Sequence, residues 1–246
     1  MDPILIYGYP ATSSMGLIAA LEWRKQPYRL CRVGEMPPSF GRLNRRFETP
    51  VLITDEGRVL TESMAIALWL EARDSGRRIS FEPMSPEAER MHQMMAFINT
   101  GFTCAFYPLW VASHMEPPNP GLQGALREWG TATVIERHDR LEEMMGDTRF
   151  SIADYPTLAD GMLVGVARWL EYLDVADISR WPKLAALRET LDRDPSVVYA
   201  TAQEAGIVSG DSTLCTGHYQ LSELVELFGS DGSLRNQADS RSASPR

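Results

Sequence analysis

Residues 48–54 read Glu-Thr-Pro-Val-Leu-Ile-Thr, and after a short Asp-Glu-Gly turn residues 58–66 read Arg-Val-Leu-Thr-Glu-Ser-Met-Ala-Ile. A proline directly before a β-branched run, followed by turn residues and a second apolar run, predicts a β-hairpin whose first strand begins at Pro50. The second strand leads into Glu62 and Ser63 at a helix start. Because a helix N-terminus offers unpaired N–H groups, this pair predicts a pocket for a ligand that carries both a carboxylate and an ammonium group.

The segment before this hairpin has the pattern of a β-α-β unit. Residues 4–7 predict a short apolar strand, and apolar residues recur at helical spacing from 17 to 23. Residues 28–33 predict a second strand, which should be parallel to the first. With the hairpin and the helix that follows it, the predicted order is β-α-β and then β-β-α.

Beyond Ser75 the pattern becomes helical. Residues 76–83 predict a linker, and Ser85 followed by a proline predicts the N-cap of a long helix that Pro108 should kink or break. A second long helix is predicted over residues 122–145.

A third helix start is predicted by a capping box. Thr157 and Asp160 stand three residues apart before an apolar run, which is the spacing of that motif. Their expected role is in folding.

Composition limits the partners of this chain. A net charge of −9 disfavours nucleic acid, which requires a basic surface. No run approaches the roughly 18 apolar residues that a membrane span needs, so no membrane partner is expected. The first residues lead straight into a strand without the features of a secretory signal, which predicts a cytoplasmic protein. The spacing of the histidines and cysteines predicts neither a metal site nor a disulfide framework, and Cys104 is expected to be buried.

The order of elements with a proline at the third strand is typical of a thioredoxin-like domain. Together with the pair Glu62-Ser63 and the Thr-x-x-Asp box at Thr157, it resembles the glutathione S-transferase superfamily, in particular its bacterial members. The resemblance covers about residues 3–205. It implies an α/β thioredoxin-like N-terminal domain and an all-α C-terminal domain.

We therefore expect three parts of the chain. Residues 1–78 form the thioredoxin-like glutathione-binding domain, and residues 85–206 form the all-helical domain. Residues 207–246 form a C-terminal extension, in which residues 219–228 are amphipathic enough to pack as a helix. The last part of this extension is rich in Ser, Gly, Asp and Arg and is expected to be disordered.

The resemblance implies a glutathione site around the opening stretch. A cis peptide bond at Pro50 would let the backbone of Thr49 pair with the middle of the tripeptide. Glu62 and Ser63 would hold its amino-acid end. Its second carboxylate needs positive charge, which Arg46 is expected to supply, with the neighbouring Arg42 and Arg45 as further candidates.

An ordinary thiol has a pKa of about 8.5, and a hydroxyl donor together with a helix N-terminus can lower it enough to keep bound glutathione as a thiolate. Alignment of the first helix with the family places Ser13 at the catalytic position. Tyr7, Ser14 and Thr12 are the alternatives, and Ser13 or Ser14 could instead serve only as an N-cap.

The second substrate would be a small apolar electrophile or a peroxide, held against the helical domain. Tyr107 and Trp110 are the candidates for that pocket. The resemblance also implies a homodimer. Within glutathione chemistry an isomerase, dehalogenase or reductase is the alternative to a transferase, and a non-catalytic binding or scaffold protein is the rival from another class.

Overall fold

A five-stranded sheet organises the N-terminal part of the chain, in the computed structural model that describes residues 1–8, 12–207 and 212–229. The strands are β1 (Ile4–Tyr7), β2 (Tyr28–Arg32), β3 (Val51–Ile53), β4 (Val59–Thr61) and β5 (Cys215–His218). Their order across the sheet is β4-β3-β1-β2-β5.

The predicted β-α-β unit and hairpin are both present. Strands β1 and β2 are parallel, with Leu5 opposite Leu30, and helix α1 (Ser14–Arg24) connects them. Strand β3 runs antiparallel to both β1 and β4. Helix α2 (Ser63–Glu71) follows β4 directly. This confirms the thioredoxin-like arrangement, and we refer to β1–β5, α1 and α2 as the sheet domain.

The following helices form the helical domain, which confirms the expected all-α second part. They are α3 (Pro86–Phe97), α4 (Thr103–Ala105), α5 (Tyr107–Ser113), α6 (Pro120–Met144), α7 (Leu158–Ala167), α8 (Trp169–Tyr172), α9 (Pro182–Asp192) and α10 (Pro195–Glu204).

The first long helix is interrupted earlier than its proline predicted. A π-helical turn, Ile98–Phe102, separates α3 from α4, and Pro108 sits in the first turn of the separate helix α5. A proline in a first helical turn breaks no hydrogen bond that the helix would otherwise make. The irregularity therefore lies in the π turn, a feature that is frequent at functional sites.

The helix caps predicted at Ser85 and at Thr157 are both confirmed. The Ser85 hydroxyl accepts a hydrogen bond from the backbone N–H of Ala88 at 3.1 Å. The Asp160 carboxylate accepts from the backbone N–H of Thr157 at 2.8 Å, which closes the capping box at α7. Asp160 is fully buried and also accepts from the backbone of Ser151. This carboxylate therefore fixes the entry into α7.

The two domains meet where α1 crosses α7, and the crossing depends on glycines. A Cβ atom on Gly16 would lie 1.7 Å from the backbone oxygen of Gly161, and one on Gly165 would lie 2.8 Å from the backbone oxygen of Ser13. Since no side chain fits between these backbones, the start of α1 is held directly against α7.

The C-terminal extension returns to the sheet domain. Strand β5 pairs in parallel with the edge strand β2, and helix α11 (Leu221–Phe228) confirms the amphipathic segment seen in the sequence. Leu224 and Val225 are buried against the sheet together with Phe40 of the short 3₁₀ helix Pro38–Arg42. One face of the sheet is thus covered by α1 and α2, and the other largely by the end of the chain.

Strand β5 was not predicted, and the extension thus includes sheet residues. The predicted disorder of the last part of the extension falls on residues outside the described ranges.

Cys104 is exposed, so the prediction that it is buried is wrong.

The stretch Pro86–Ser113 is long and apolar enough to meet a length and composition test for a membrane helix. Its most apolar 18-residue window has a mean hydropathy of 1.2, and 44% of that window is buried. The buried helix of an ordinary core passes the same test, and Met91, Met94 and Met95 of this stretch are buried in the core.

Candidate functional site

One end of the sheet collects the residues of the opening stretch. Register places Ile6 of β1 opposite Val51, and Val51 opposite Thr61 at the end of β4. Thr49 therefore lies beside the end of β1, and a Cβ atom on Gly8 would come within 2.6 Å of its hydroxyl oxygen. Helices α1 and α2 also begin at this end of the sheet. The topology brings the predicted residues to one edge.

The turn before β3 is held by Asn44. Its side-chain nitrogen donates to the carbonyl of Glu48 at 2.8 Å, and its side-chain oxygen accepts from the backbone N–H of Arg46 at 3.0 Å. The Thr49–Pro50 peptide bond that follows is cis, as the resemblance implied. The backbone of Thr49 thus enters the site from a turn with fixed geometry.

Glu62 adopts a strained backbone conformation at the start of α2. Its φ is +71° and its ψ is 123°, a region that side-chain-bearing residues rarely occupy and that costs on the order of 1–3 kcal/mol. Its carboxylate is exposed and lies 3.3 Å from the guanidinium of Arg46. Such strain persists only where the surrounding structure imposes it.

A small cavity of about 40 Å³ lies between the two domains. The sheet domain contributes Ser13, Leu17 and Ser63, and the helical domain contributes Asn99, Thr103, Met162 and Val166. The predicted catalytic serine and the predicted binding serine therefore line the same cavity. Their helices α1 and α2 both begin there.

The electrostatics of the α1 start favour an anion. The first turns of α1 and α2 contain no acidic residue, whereas α3 and α7 carry carboxylates in theirs. Carboxylates in a first turn offset the positive end of a helix dipole. The N–H groups at the start of α1 thus remain suited to a negatively charged ligand, whereas at α2 the N-cap residue Glu62 places a carboxylate beside them.

The Ser13 side chain lines the cavity and does not cap helix α1. Ser13 occupies the N-cap position of α1, with helical φ and ψ, yet its side chain makes no capping hydrogen bond within the described residues. The interpretation of Ser13 as a purely structural N-cap loses its main support. Its hydroxyl is available to a ligand in the cavity.

The other candidate hydroxyls are engaged elsewhere. Tyr7 is buried and donates its hydroxyl to the carbonyl of Gln203 at 3.1 Å, and burial raises its pKa to about 12. Ser14 is fully buried, and its hydroxyl shares a hydrogen bond with that of Thr12. The one proton of Tyr7 is thus donated to a backbone carbonyl, and the hydroxyls of Ser14 and Thr12 are bonded to each other. All three hydroxyls are therefore less suited than that of Ser13 to hold a thiolate.

The arginines before the hairpin separate into two groups. Arg46 lies beside Glu62 and Glu48, at the predicted binding end. Arg42 and Arg45 instead line a different groove, which also contains Arg58 and Phe228. The structure therefore places only Arg46 beside Glu62.

The aromatic candidates of the helical domain do not line the cavity. Tyr107 is 70% exposed, and the Trp110 ring packs 5.4 Å from both Trp169 and Tyr172. The residues that do line it, Asn99 and Thr103, were missed by sequence reasoning.

The only sequence signal for these two residues is their polarity within an aromatic-rich run at a spacing of four. The π turn, which contains Asn99 and ends just before Thr103, has no characteristic sequence pattern of its own.

A thioredoxin-like sheet domain, a helical domain packed on it, and an anion-suited cavity between them define a two-domain thioredoxin-fold protein. The profile of the family described as "Glutathione S-transferase, N-terminal domain" matches residues 13–73. Residues 13–73 of this chain therefore match the N-terminal domain of the glutathione S-transferase family.

Individual relatives agree with this assignment. The chain is 27% identical over 206 residues to maleylacetoacetate isomerase of Pseudomonas aeruginosa, covering 76% of this chain and 90% of that protein. A glutathione transferase of Methylococcus capsulatus has a TM-score of 0.71 at 27% identity, covering 83% of this chain and all of that one. A sphingomonad glutathione S-transferase complexed with glutathione has a TM-score of 0.70 at 20% identity, covering 82% and 98%.

Proposed function

We propose that this protein is a glutathione-dependent enzyme that binds glutathione along the edge of the sheet domain, with the sulfur at the small cavity between the domains, and uses the thiolate as a nucleophile on a small electrophile. The observation that carries the proposal is that Ser13 and Ser63, at the starts of two helices without acidic first turns, line one cavity. The solved relative that contains glutathione, together with the family assignment, supports the identity of the ligand.

The groups around the cavity suit the three parts of the tripeptide. The Glu62 carboxylate offers a partner for its ammonium group, and the N-terminus of α2 with the Ser63 hydroxyl offers donors for the adjacent carboxylate. The backbone of Thr49 can pair with the central residue. The Arg46 guanidinium can bind the far carboxylate once glutathione competes with Glu48 and Glu62 for it.

The Ser13 hydroxyl supplies the chemistry. It donates a hydrogen bond to the sulfur, and the N-terminus of α1 adds a favourable potential, so both stabilise the thiolate relative to the thiol. The proton lost from the thiol passes to solvent. The thiolate then forms a bond to an electrophilic carbon, and in a transferase the leaving group departs with its electron pair.

An isomerase is the second candidate, supported by the similarity to maleylacetoacetate isomerase. In that reaction class the thiolate adds to a double bond conjugated with a carbonyl, the resulting single bond rotates, and the sulfur leaves again with its electron pair. Glutathione is regenerated without net consumption. The same thiolate site serves both reactions, and the fate of the glutathione adduct distinguishes them.

The helical side of the cavity is suited to the second substrate. Met162 and Val166 offer an apolar surface opposite the serines, while Thr103 and Asn99 add polar groups. This combination fits a small electrophile with an apolar body and one polar end. A small apolar electrophile stays our proposal for the partner, with Tyr107 and Trp110 outside the cavity.

The proposed assembly is a homodimer in the cytoplasm. Leu68 of the sheet domain and Trp129 of the helical domain are large apolar side chains that are exposed in the single chain. A contact between the first domain of one copy and the helical domain of the other would cover such residues. Light scattering coupled to gel filtration measures the mass in solution, and a monomer at micromolar concentration would contradict this part of the proposal.

Binding and turnover test the function directly. Titration calorimetry with glutathione should show binding by the wild-type protein and weaker binding by Ser63→Ala, while Ser222→Ala on the exposed face of α11 serves as the control. A panel of aryl halide, epoxide, peroxide and cis-alkene dicarbonyl substrates then separates transferase from isomerase. Binding with no turnover on any of these would favour the non-catalytic alternative, and no binding would overturn the proposal.

A further inference from the structure

The short segment before α1, which carries Ser13, is tied to the helical domain by a buried ion pair. Arg168, between α7 and α8, meets Glu204, the last residue of α10, through two parallel hydrogen bonds of 2.6 and 2.8 Å. The Glu204 side chain is 3% exposed and that of Arg168 is 19% exposed. A fork of this kind is the strongest geometry for a guanidinium and a carboxylate.

Both members of the pair also bind the backbone of Thr12, the residue before Ser13. Arg168 Nη2 donates to the Thr12 carbonyl at 2.9 Å, and Glu204 Oε1 accepts from the Thr12 N–H at 3.2 Å. Thr12 is thus held at both of its backbone polar groups by residues that are 156 and 192 positions away in the sequence. Its position is set by the pair.

The position of Glu204 is unfavourable by local rules. A carboxylate at the last residue of a helix lies at the negative end of the helix dipole, where cations are favoured. Here Arg168 neutralises the side chain, and Arg32 donates to the Glu204 carbonyl at 3.2 Å. A residue that breaks a local rule and is then stabilised by several partners is typical of a functional position.

Arg168 connects this pair to the crossing of α1 and α7. Its Nε donates to the carbonyl of Gly165 at 3.1 Å, and a Cβ atom on Gly165 would lie within 3.0 Å of the Ser13 Cα. The backbone of Ser13 is therefore confined between Gly165 on one side and the clamped Thr12 on the other. These two contacts, both linked to Arg168, fix where the Ser13 hydroxyl enters the cavity.

We infer that Arg168 and Glu204 are positioning residues, which set the pKa of bound glutathione by holding the Thr12–Ser13 backbone. This inference rests on the proposed function. A hydrogen bond weakens steeply when its donor moves or tilts, so a small displacement of Ser13 is enough to reduce its stabilisation of the thiolate. The pair need not touch the sulfur to act in this way.

A positioning role and a direct electrostatic role predict pKa changes of different sign for the bound thiol. If the charges acted on the sulfur through space, loss of the Arg168 cation would raise the thiol pKa and loss of the Glu204 anion would lower it. If the pair acts by holding Ser13, removal of either member raises the pKa. The sign of the Glu204 effect therefore separates the two.

The experiment is a pH titration of the thiolate absorbance of glutathione bound to the full chain. Arg168→Ala and Glu204→Ala should each raise the pKa of the bound thiol by at least half of the shift that Ser13→Ala causes, and the double variant should add little to either. The exposed ion pair of Arg193 and Glu189 in the same domain provides matched controls, since Arg193→Ala and Glu189→Ala remove the same charges at the surface. Both controls should leave the titration unchanged.

Milder variants keep the test valid if the alanine variants do not fold. Arg168→Lys retains the charge but cannot form the fork. Positioning therefore predicts a raised pKa of the bound thiol, whereas direct electrostatics predicts no change in that pKa. Glu204→Gln removes the charge with little change of shape and should also raise the pKa.

The outcomes distinguish the inference from the proposed function. If Ser13→Ala raises the pKa while the Arg168 and Glu204 variants leave it unchanged or move it in opposite directions, the inference is overturned and the proposed function stands. If Ser13→Ala leaves the titration unchanged, the role of Ser13 fails and the inference falls with it.

Discussion

The two walls of the cavity are built in different ways. The wall from the sheet domain presents Ser13 and Ser63, each at a helix start whose position follows from the sheet register. The wall from the helical domain presents Asn99 from the π turn, Thr103 directly after it, and Met162 and Val166 from α7. The first wall, from the sheet domain, depends on backbone geometry for its ligand-facing groups. The second wall, from the helical domain, depends on which side chains its helices carry. We therefore assign glutathione to the first wall and substrate selection to the second.

The largest expected effect comes from forcing the two walls apart. In Gly16→Ala the new methyl group would lie 1.7 Å from the backbone oxygen of Gly161, so the α1–α7 crossing must shift. We expect a loss of about 3 kcal/mol or more in the free energy of unfolding, together with loss of glutathione binding. Chemical denaturation and calorimetry measure the two quantities.

Gly124→Ala is the matched control. Gly124 lies in α6, and a Cβ atom added to it would have no neighbouring atom within 4 Å, so the same substitution there should stabilise the protein by about 0.4–1 kcal/mol. Equal effects at the two glycines would contradict the close crossing.

Acid should destabilise the support behind the helical wall. His138 is buried, its Nδ1 donates to the Val134 carbonyl at 2.7 Å, and its ring packs 4.5 Å from that of Phe102. Burial lowers the pKa of His138 to about 4, from an ordinary value near 6.5. Because the folded state favours the neutral ring, its contribution is present above about pH 6.5 and is lost as the pH falls toward 4.

The effect on the free energy of unfolding should reach up to about 3 kcal/mol at the acid end of this window. His138→Phe should flatten that part of the stability curve between pH 6.5 and 4. His114→Gln, at an exposed histidine, should leave the loss of stability between pH 6.5 and 4 unchanged. A curve for His138→Phe that matches the wild type would contradict this account of His138.

A smaller effect is expected at the first wall. Ser63→Ala removes one donor to a charged group of the ligand, which should weaken glutathione binding by about ten- to a hundredfold, since a charge-assisted hydrogen bond contributes roughly 1.5–3 kcal/mol. Thermal stability should change little. Calorimetric titration measures the binding, and unchanged affinity would remove Ser63 from the site.

The smallest effect on glutathione is expected at the second wall. Val166→Ala enlarges the cavity opposite the serines and should change kcat/KM among electrophiles of different size by about tenfold, the scale of one or two methylene groups. Its affinity for glutathione should stay within about twofold of the wild type. A loss of glutathione binding without a change in substrate preference would contradict the division between the walls.

The first wall was largely predictable because its signals are local. A proline before β3, turn residues, and Glu62-Ser63 at a helix start each indicate a backbone geometry, and the sheet register then brings them together. The identity of the hydroxyl was left open, because the direction of the Tyr7 phenol depends on α10, whose Gln203 is 196 residues away. Proximity in sequence could not separate Ser13 from Ser14, whose hydroxyl is buried.

The second wall and the end of the chain were harder to predict. A π turn has no sequence period of its own, so Asn99 and Thr103 were hidden in an aromatic-rich run. Strand β5 reads Cys-Thr-Gly-His and has no apolar alternation, since its place is determined by backbone pairing with the edge of β2. Features that depend on a distant partner leave little trace in the local sequence.

The proposed function requires that the first wall lowers the pKa of the glutathione thiol. The decisive measurement is the pH titration of the thiolate absorbance of glutathione bound to the wild-type protein and to Ser13→Ala. We predict that the wild type holds the thiol pKa well below the free value of about 8.5 and that Ser13→Ala raises it by about one unit. Coincident titration curves for the two proteins, or a wild-type curve that matches free glutathione, would contradict the central claim.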